Sequence, residues 1–95
     1  MGKIVWSPVA RADLDAIADY IAKDSPARAA VFVDRLLRSA EQLADFPEAG
    51  RAVPEIGDPA SREVIVGPYR IMYHLETEAV VIVAIVHGAR RWPPT

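Results

Sequence analysis

The side chains able to carry chemistry are few and lie late in the chain: Arg51, Glu55, Arg62, Glu63, Arg70, His74, His87, Arg90 and Arg91, with Trp92 beside the last pair. Guanidinium groups hold anions, and carboxylates and imidazoles exchange protons, so these residue types point to anion binding and proton transfer. The chain has no cysteine, which removes disulfides, a thiol nucleophile and a cysteine-ligated metal, and fits a reducing compartment. His74 and His87 are too few and too scattered for a metal site, so neither a metal nor another cofactor is expected.

These residues must be positioned by the stretch Ser61 to Arg91, SREVIVGPYRIMYHLETEAVVIVAIVHGARR. Three runs rich in β-branched and aromatic residues, Arg62–Val66, Tyr69–Leu75 and Ala79–Val86, are separated by Gly67-Pro68 and by Glu76-Thr77-Glu78. They predict two tight hairpins. Gly67 suits the positive φ of the first central position of a type II′ turn and Pro68 the negative φ of the second, which sets Val66 opposite Tyr69. Alternation then puts Val64, Val66, Tyr69, Ile71, Tyr73, Leu75, Val80, Ile82, Ala84 and Val86 on one face, the expected core. Glu63, Ile65, Arg70, Met72, His74, Val81, Val83, Ile85 and His87 fall on the other. That mixture is too polar for a core and too apolar for open solvent, so something should cover it. In this register Glu63 and Arg70 are diagonal neighbours, and an ion pair is the role it favours for them.

The N-terminal half supplies what packs on the sheet. Lys3–Trp6 reads as a strand joining it. Ser7-Pro8 caps a helix over about Pro8 to Lys23, in which Leu14, Ile17, Ala18 and Ile21 repeat at helical spacing. Asp13, Asp15 and Asp19 read as its solvated acidic face. Ser25-Pro26 caps a second helix with an apolar stripe from Ala29 to Ala44, ending near Phe46-Pro47. The short connection demands an antiparallel helical hairpin. Residues 47–60, PEAGRAVPEIGDPA, read as an ordered irregular crossing that carries Arg51 and Glu55. The expected fold is α+β, a small antiparallel sheet packed by an N-terminal αα-hairpin in the order β-α-α-β-β-β, with residues 1–95 forming one domain.

The formal net charge is −2 with a pI near 5.6, which argues against sequence-specific nucleic-acid binding by the chain as a whole. Residues 1–50 hold 6 basic and 8 acidic side chains and residues 51–95 hold 5 of each, so any anion-seeking surface is local and C-terminal, at Arg90 and Arg91. MGKIVWSP lacks an apolar signal segment, and no run approaches the roughly 18 apolar residues of a membrane span. A cytoplasmic protein with no membrane partner is expected.

Five stretches in this order, WSPVARADLDAIADYI, SPARAAVFVDRLL, FPEAGRAVPE, SREVIVGPYRIMYH and VVIVAIVHGARRW, resemble the RelE/ParE superfamily of type II toxin–antitoxin toxins, and the ParE branch more than the RelE branch. The resemblance covers almost the whole chain. It implies a bacterial toxin of a plasmid-stabilisation or growth-control module, bound by a cognate antitoxin that covers the second sheet face at Ile65, Met72, Val81, Val83 and Ile85. A homodimer burying that surface is the alternative cover, and a higher toxin–antitoxin assembly is a further expectation.

The two branches imply different mechanisms. RelE-like members resemble ribosome-dependent mRNA endoribonucleases, which need a base, an acid and cations around the scissile phosphate. The candidates here are Glu63 or Glu55 as base, Arg51, Arg62 and Arg70 for phosphate, and His87 with Arg90. The chain has no lysine after Lys23 and no tyrosine after Tyr73, so the lysine component usual in that branch is missing. ParE-like members resemble inhibitors that bind DNA gyrase and require no catalytic residues. On that reading His87, Arg90, Arg91 and Trp92 form a C-terminal target-binding patch. The gyrase-binding, non-enzymatic toxin is the expectation, with the mRNA endoribonuclease and an inactive, antitoxin-binding domain as alternatives.

Overall fold

The computed structural model describes residues 2–93. In chain order the elements are β1 (Lys3–Trp6), α1 (Pro8–Ala22), α2 (Pro26–Glu41) continued by a 3₁₀ turn at Gln42–Ala44, β2 (Arg51–Ala52), β3 (Ser61–Val66), β4 (Tyr69–Leu75) and β5 (Ala79–His87). The sheet order is β1-β5-β4-β3-β2. The α+β layout is the expected one, but β1 runs parallel to β5 while the other neighbours are antiparallel, so the sheet is mixed. The β2 strand is an addition from the crossing segment, two residues paired with Glu63 and Arg62.

Both helices begin as their Ser-Pro pairs dictate. The Ser7 hydroxyl accepts from the Ala10 amide and the Ser25 hydroxyl from the Arg28 amide, with proline following at the first helical position. Between the hairpin and the sheet lies the main core, where Ala10, Ile17, Leu36, Ala40 and Leu43 meet Val66, Ile71, Tyr73, Val80, Ile82 and Ile85. Gly67 takes φ 56, and Val66 pairs with Tyr69 as the turn chemistry requires.

The register departs from expectation in β5. Tyr73 pairs with Ile82 but Met72 pairs with Ala84, so Val83 is an inserted residue, a β-bulge. Beyond it the faces exchange. Ile85, expected on the open face, is buried in the hairpin-side core, while Ala84 and Val86, expected in that core, join Met72 and Val53 on the other side. His87 pairs with Tyr69 and lies edge-on to its ring, on the hairpin side. The N-cap of α1 and one residue within it satisfy the backbone here: the Ser7 hydroxyl donates to the Val83 carbonyl at 2.9 Å, and the Ile85 amide donates to the Asp13 carboxylate at 2.9 Å. Asp13 is therefore a partly buried structural ligand of the bulge rather than part of a solvated acidic face.

The second sheet face is also covered by the chain itself. Val53 from the crossing and Trp92 from the C-terminal segment pack with Met72, Val83, Ala84 and Val86, leaving Met72 only 1% exposed. Of the five residues expected to meet an antitoxin, Met72 and Ile85 are thus interior, Val81 and Val83 are half-buried, and Ile65 alone is open, at 59%.

The double use of the Ser7 hydroxyl separates the two caps. Replacing Ser25 with Ala removes a cap alone, with an expected cost of about 1 kcal/mol. Ser7→Ala also orphans the Val83 carbonyl, so a loss of about 2–3 kcal/mol is expected. Urea unfolding of both variants checks the difference; equal losses would mean that the bulge does not depend on Ser7.

Candidate functional site

On the face away from the helices, four charged side chains from β2, β3, β4 and the crossing loop converge. Glu63 of β3 is buried; its carboxylate accepts from Arg70 Nε at 2.7 Å and from Arg51 Nε at 2.7 Å. Arg70 of β4, also buried, reaches Glu55 of the crossing with both terminal nitrogens, at 2.8 and 3.0 Å, and Glu63 with Nη2 at 2.6 Å. Nη1 donates in addition to the Arg90 carbonyl at 2.9 Å. The guanidinium fork is therefore occupied on Nε, Nη1 and Nη2, and two arginines balance two glutamates.

The diagonal Glu63–Arg70 pair expected from the hairpin register is present, and it recruits Arg51 and Glu55. Its electrostatics follow from proximity. The Arg70 hydrogen bonds, helped by the Trp92 amide, lower the Glu55 pKa from 4.5 to about 2. The Arg70 pKa is raised, chiefly by Glu55. Removing either buried partner, Glu63 or Arg70, would leave the other charge with a single remaining partner, Glu55 for Arg70 or Arg51 for Glu63, and so destabilise the fold.

Arg62 does not join this group. Its Nε donates to the Pro59 carbonyl and its Nη1 to the Gly50 carbonyl, both at 2.8 Å, so it ties the crossing to β3. Beneath it the Tyr73 hydroxyl accepts from the Gly50 amide and donates to the Pro47 carbonyl, both at 2.9 Å, and burial pushes the phenol pKa up. A Cβ on Gly50 would stand 2.3 Å from the Glu63 carbonyl and 2.6 Å from the Tyr73 hydroxyl, so only glycine fits.

The four residues of the expected target-binding patch are divided. His87 is turned toward Tyr69 on the hairpin side, and its Nδ1 accepts from the Ala89 amide at 3.2 Å. Trp92 packs on the opposite face, and its amide donates to Glu55 at 3.0 Å. Arg90 and Arg91 are exposed between them, and among the described residues no carboxylate pairs with either. As possible members of a nuclease site, Arg70 and Glu63 are together but paired, and His87 stands on the other side of the sheet. His74 makes a 2.6 Å contact with Glu76 near the exposed turn. Among the described residues no group of histidine and acidic side chains could hold a metal ion.

One surface escaped the sequence reading. An open groove of about 590 Å³ lies between the hairpin and the β3–β4 turn, lined by Tyr20, Ile21, Ala27, Val31, Phe32, Pro68 and Tyr69 and rimmed by Arg28 and Arg35. Tyr20 and Val31 are 68% and 71% exposed. Arg28, Val31, Phe32 and Arg35 recur at i, i+3, i+4 and i+7, a second stripe on α2 that was readable in principle.

Because Glu55 has its pKa lowered, its stabilising contribution is complete above about pH 4.5 and disappears as pH falls through about 2. The gap in urea midpoint between the wild-type protein and Glu55→Gln is expected to be constant near neutrality, to shrink below about pH 4.5 and to close near pH 2. A gap that ignores pH over this window would deny the carboxylate charge any role.

Comparison with known proteins agrees with this architecture. Residues 4–92 match the family described as the ParE toxin of the type II toxin–antitoxin system, parDE. The protein is 43% identical over 91 residues to "Toxin RelE2" of Caulobacter vibrioides, covering 95% of this chain and 99% of that one. It is 33% identical over 93 residues to "Putative toxin Y4kP" of Sinorhizobium fredii, covering 96% and 93% respectively. In fold it is similar to a solved chain of the chromosomal ParDE system from P. aeruginosa, with a TM-score of 0.76, 24% identity and coverage of 92% and 96%. The chain belongs to the ParE toxin family of type II toxin–antitoxin systems.

Proposed function

We propose that this toxin acts in the cytoplasm by binding DNA gyrase, without bond cleavage, as the lethal half of a growth-control or plasmid-stabilisation module. The observation that carries this reading is the division of the charged residues. Those from which a phosphodiester-cleaving site would be built, Arg70, Glu63, Glu55 and Arg51, are occupied with one another in a balanced cluster. Arg90 and Arg91 stand exposed on the C-terminal segment, where arginine serves well as an interface anchor. The sequence match to the ParE family supports the same direction. The name RelE2 carried by one relative keeps mRNA cleavage as the competing mechanism.

The antitoxin surface is assigned to the arginine-rimmed groove and the exposed Ile65 edge of β3 instead of the interior positions Met72 and Ile85. An apolar floor with two cations at its margin suits an amphipathic helix whose polar flank is acidic. Val31 is the place to test it, because its exposure separates binding from folding. Val31→Asp is expected to weaken the antitoxin complex by about 10- to 100-fold, or about 1.4–2.7 kcal/mol, with little change in Tm. Unchanged affinity by calorimetry would place the antitoxin elsewhere.

The function is tested with purified, antitoxin-free protein in gyrase supercoiling, including a search for trapped cleavage complexes, beside mRNA cleavage on programmed ribosomes. Gyrase inhibition without RNA cutting is expected. Arg90→Ala with Arg91→Ala should weaken it at least about tenfold while antitoxin binding holds. RNA cutting alone would establish the RelE-like mechanism, and inactivity in both assays from folded protein would leave an antitoxin-binding domain.

A further inference from the structure

Beyond His87 the chain leaves the sheet, yet it does not hang free. Gly88 donates its amide to the Pro68 carbonyl at 2.7 Å, and the Arg90 amide turns back to the His87 carbonyl at 2.9 Å. Two further polar ties hold it farther along. Arg70 donates to the Arg90 carbonyl at 2.9 Å, and Glu55 accepts from the Trp92 amide at 3.0 Å. These ties flank the two exposed arginines, at residue 90 and immediately after residue 91. The same Glu55 carboxylate clamps the Arg70 guanidinium, so one side chain both fixes the donor for Arg90 and receives Trp92 directly.

We propose that Glu55, acting with Arg70, is a positioning residue for target recognition: it latches the segment 88–92 to the sheet so that Arg90 and Arg91 are presented in one fixed geometry. This rests on the reading that those arginines meet the target. Arginine side chains lose much conformational freedom on binding, and fixing their backbone beforehand lowers the cost of ordering them. A partner with an acidic surface is the chemistry such a pair would recognise. Glu55 is not itself an anchor, since its carboxylate faces inward to Arg70 and Trp92.

Arg70 cannot be the tested residue, because removing it takes from the buried Glu63 its one buried partner and leaves it only the exposed Arg51. Glu55→Ala is suitable, since it lies on the crossing loop and leaves the Arg70–Glu63 pair in place. The first readout needs no target. Trypsin cleaves after Arg91, at the peptide whose nitrogen Glu55 holds, and release of the C-terminal fragment is followed by mass spectrometry. Release should be at least about tenfold faster in Glu55→Ala, with cleavage after the exposed Arg38 of α2 unchanged as the control for global opening. The second readout is gyrase inhibition, expected to weaken at least about tenfold with unchanged antitoxin affinity. Glu55→Gln, which keeps an acceptor for the Trp92 amide, should fall between the two. Added to Arg90→Ala and Arg91→Ala, Glu55→Ala should cause no further loss, because it works through those residues.

Unchanged fragment release would overturn the latch. Faster release with intact gyrase inhibition would show that the latch exists but does not position recognition, and an additive loss in the combined variant would overturn action through the arginines. If the wild-type protein leaves gyrase untouched, the proposed function fails and so does this role in recognition, while the proteolysis still decides whether Glu55 holds the segment.

Discussion

Past Trp6, no strand among the described residues lies on the outer side of β5, and the chain that would have supplied one has turned into α1. The inserted Val83 rotates the following backbone so that the Ile85 amide looks outward into this gap, where Asp13 accepts it and Ser7 caps the neighbouring carbonyl. A buried amide without a partner would be costly, so the helix and the bulge require each other. The consequence for side chains is larger than the local kink. Every residue of β5 after the bulge changes face, so Ile85 fills the space under the hairpin and the smaller Ala84 and Val86 stand on the side of Arg70. Without the insertion His87 would share that side. The bulge thus separates the imidazole from the guanidinium and carboxylates with which a proton-transfer site would combine it.

What remains on the second face is a charge cluster that neutralises itself. Four groups from β2, β3, β4 and the crossing loop meet within hydrogen-bond distance, and each buried side-chain nitrogen and oxygen among the described residues has a partner. Away from water such mutual pairing is the condition for burying Glu63 and Arg70, and it occupies the hydrogen-bonding groups of both. Val53 and Trp92 then cover the apolar part of this face around Met72, Ala84 and Val86. The apolar surface that alternation leaves uncovered is met in part by the chain's own loop and C-terminal segment, and open apolar surface remains at Ile65 and by the hairpin, where Tyr20, Val31 and Phe32 line the arginine-rimmed groove.

The features legible in the sequence are those with a local physical cause. The Ser-Pro pairs mark both helix starts, and Gly67-Pro68 fixes the hairpin and through it the Glu63–Arg70 diagonal. The bulge was not legible, because AVVIVAIV is apolar on both faces and an extra residue leaves no break in such a pattern. Asp13 followed from the same blindness: its helix position suggests solvent, and only the bulge gives it a buried donor. The two-residue β2 is shorter than any periodicity. Of the candidate site, the core pair was readable, but the reach of Arg70 to Glu55 and Arg90 joins positions 15 and 20 residues apart through irregular backbone, for which spacing rules offer no register.

A buried ion pair contributes little net stability, and apolar residues of similar volume often serve a small core as well. The Arg70 cluster nevertheless does something that an apolar replacement could not. The crossing loop and the C-terminal segment are irregular, and their backbone groups lack the ladders that satisfy strands. Apolar contact through Val53 and Trp92 can hold these segments near the sheet, but it is non-directional and accepts many orientations. A planar fork with donors aimed at Glu63, Glu55 and the Arg90 carbonyl fixes three segments at once, and Glu55 extends this order to the Trp92 amide. Because the cluster carries no net charge, it imposes this geometry without opposing the positive charge of Arg90 and Arg91 outside. Orientation of the C-terminal segment thus comes from inside the sheet, while its exposed positive charge stands at the rim.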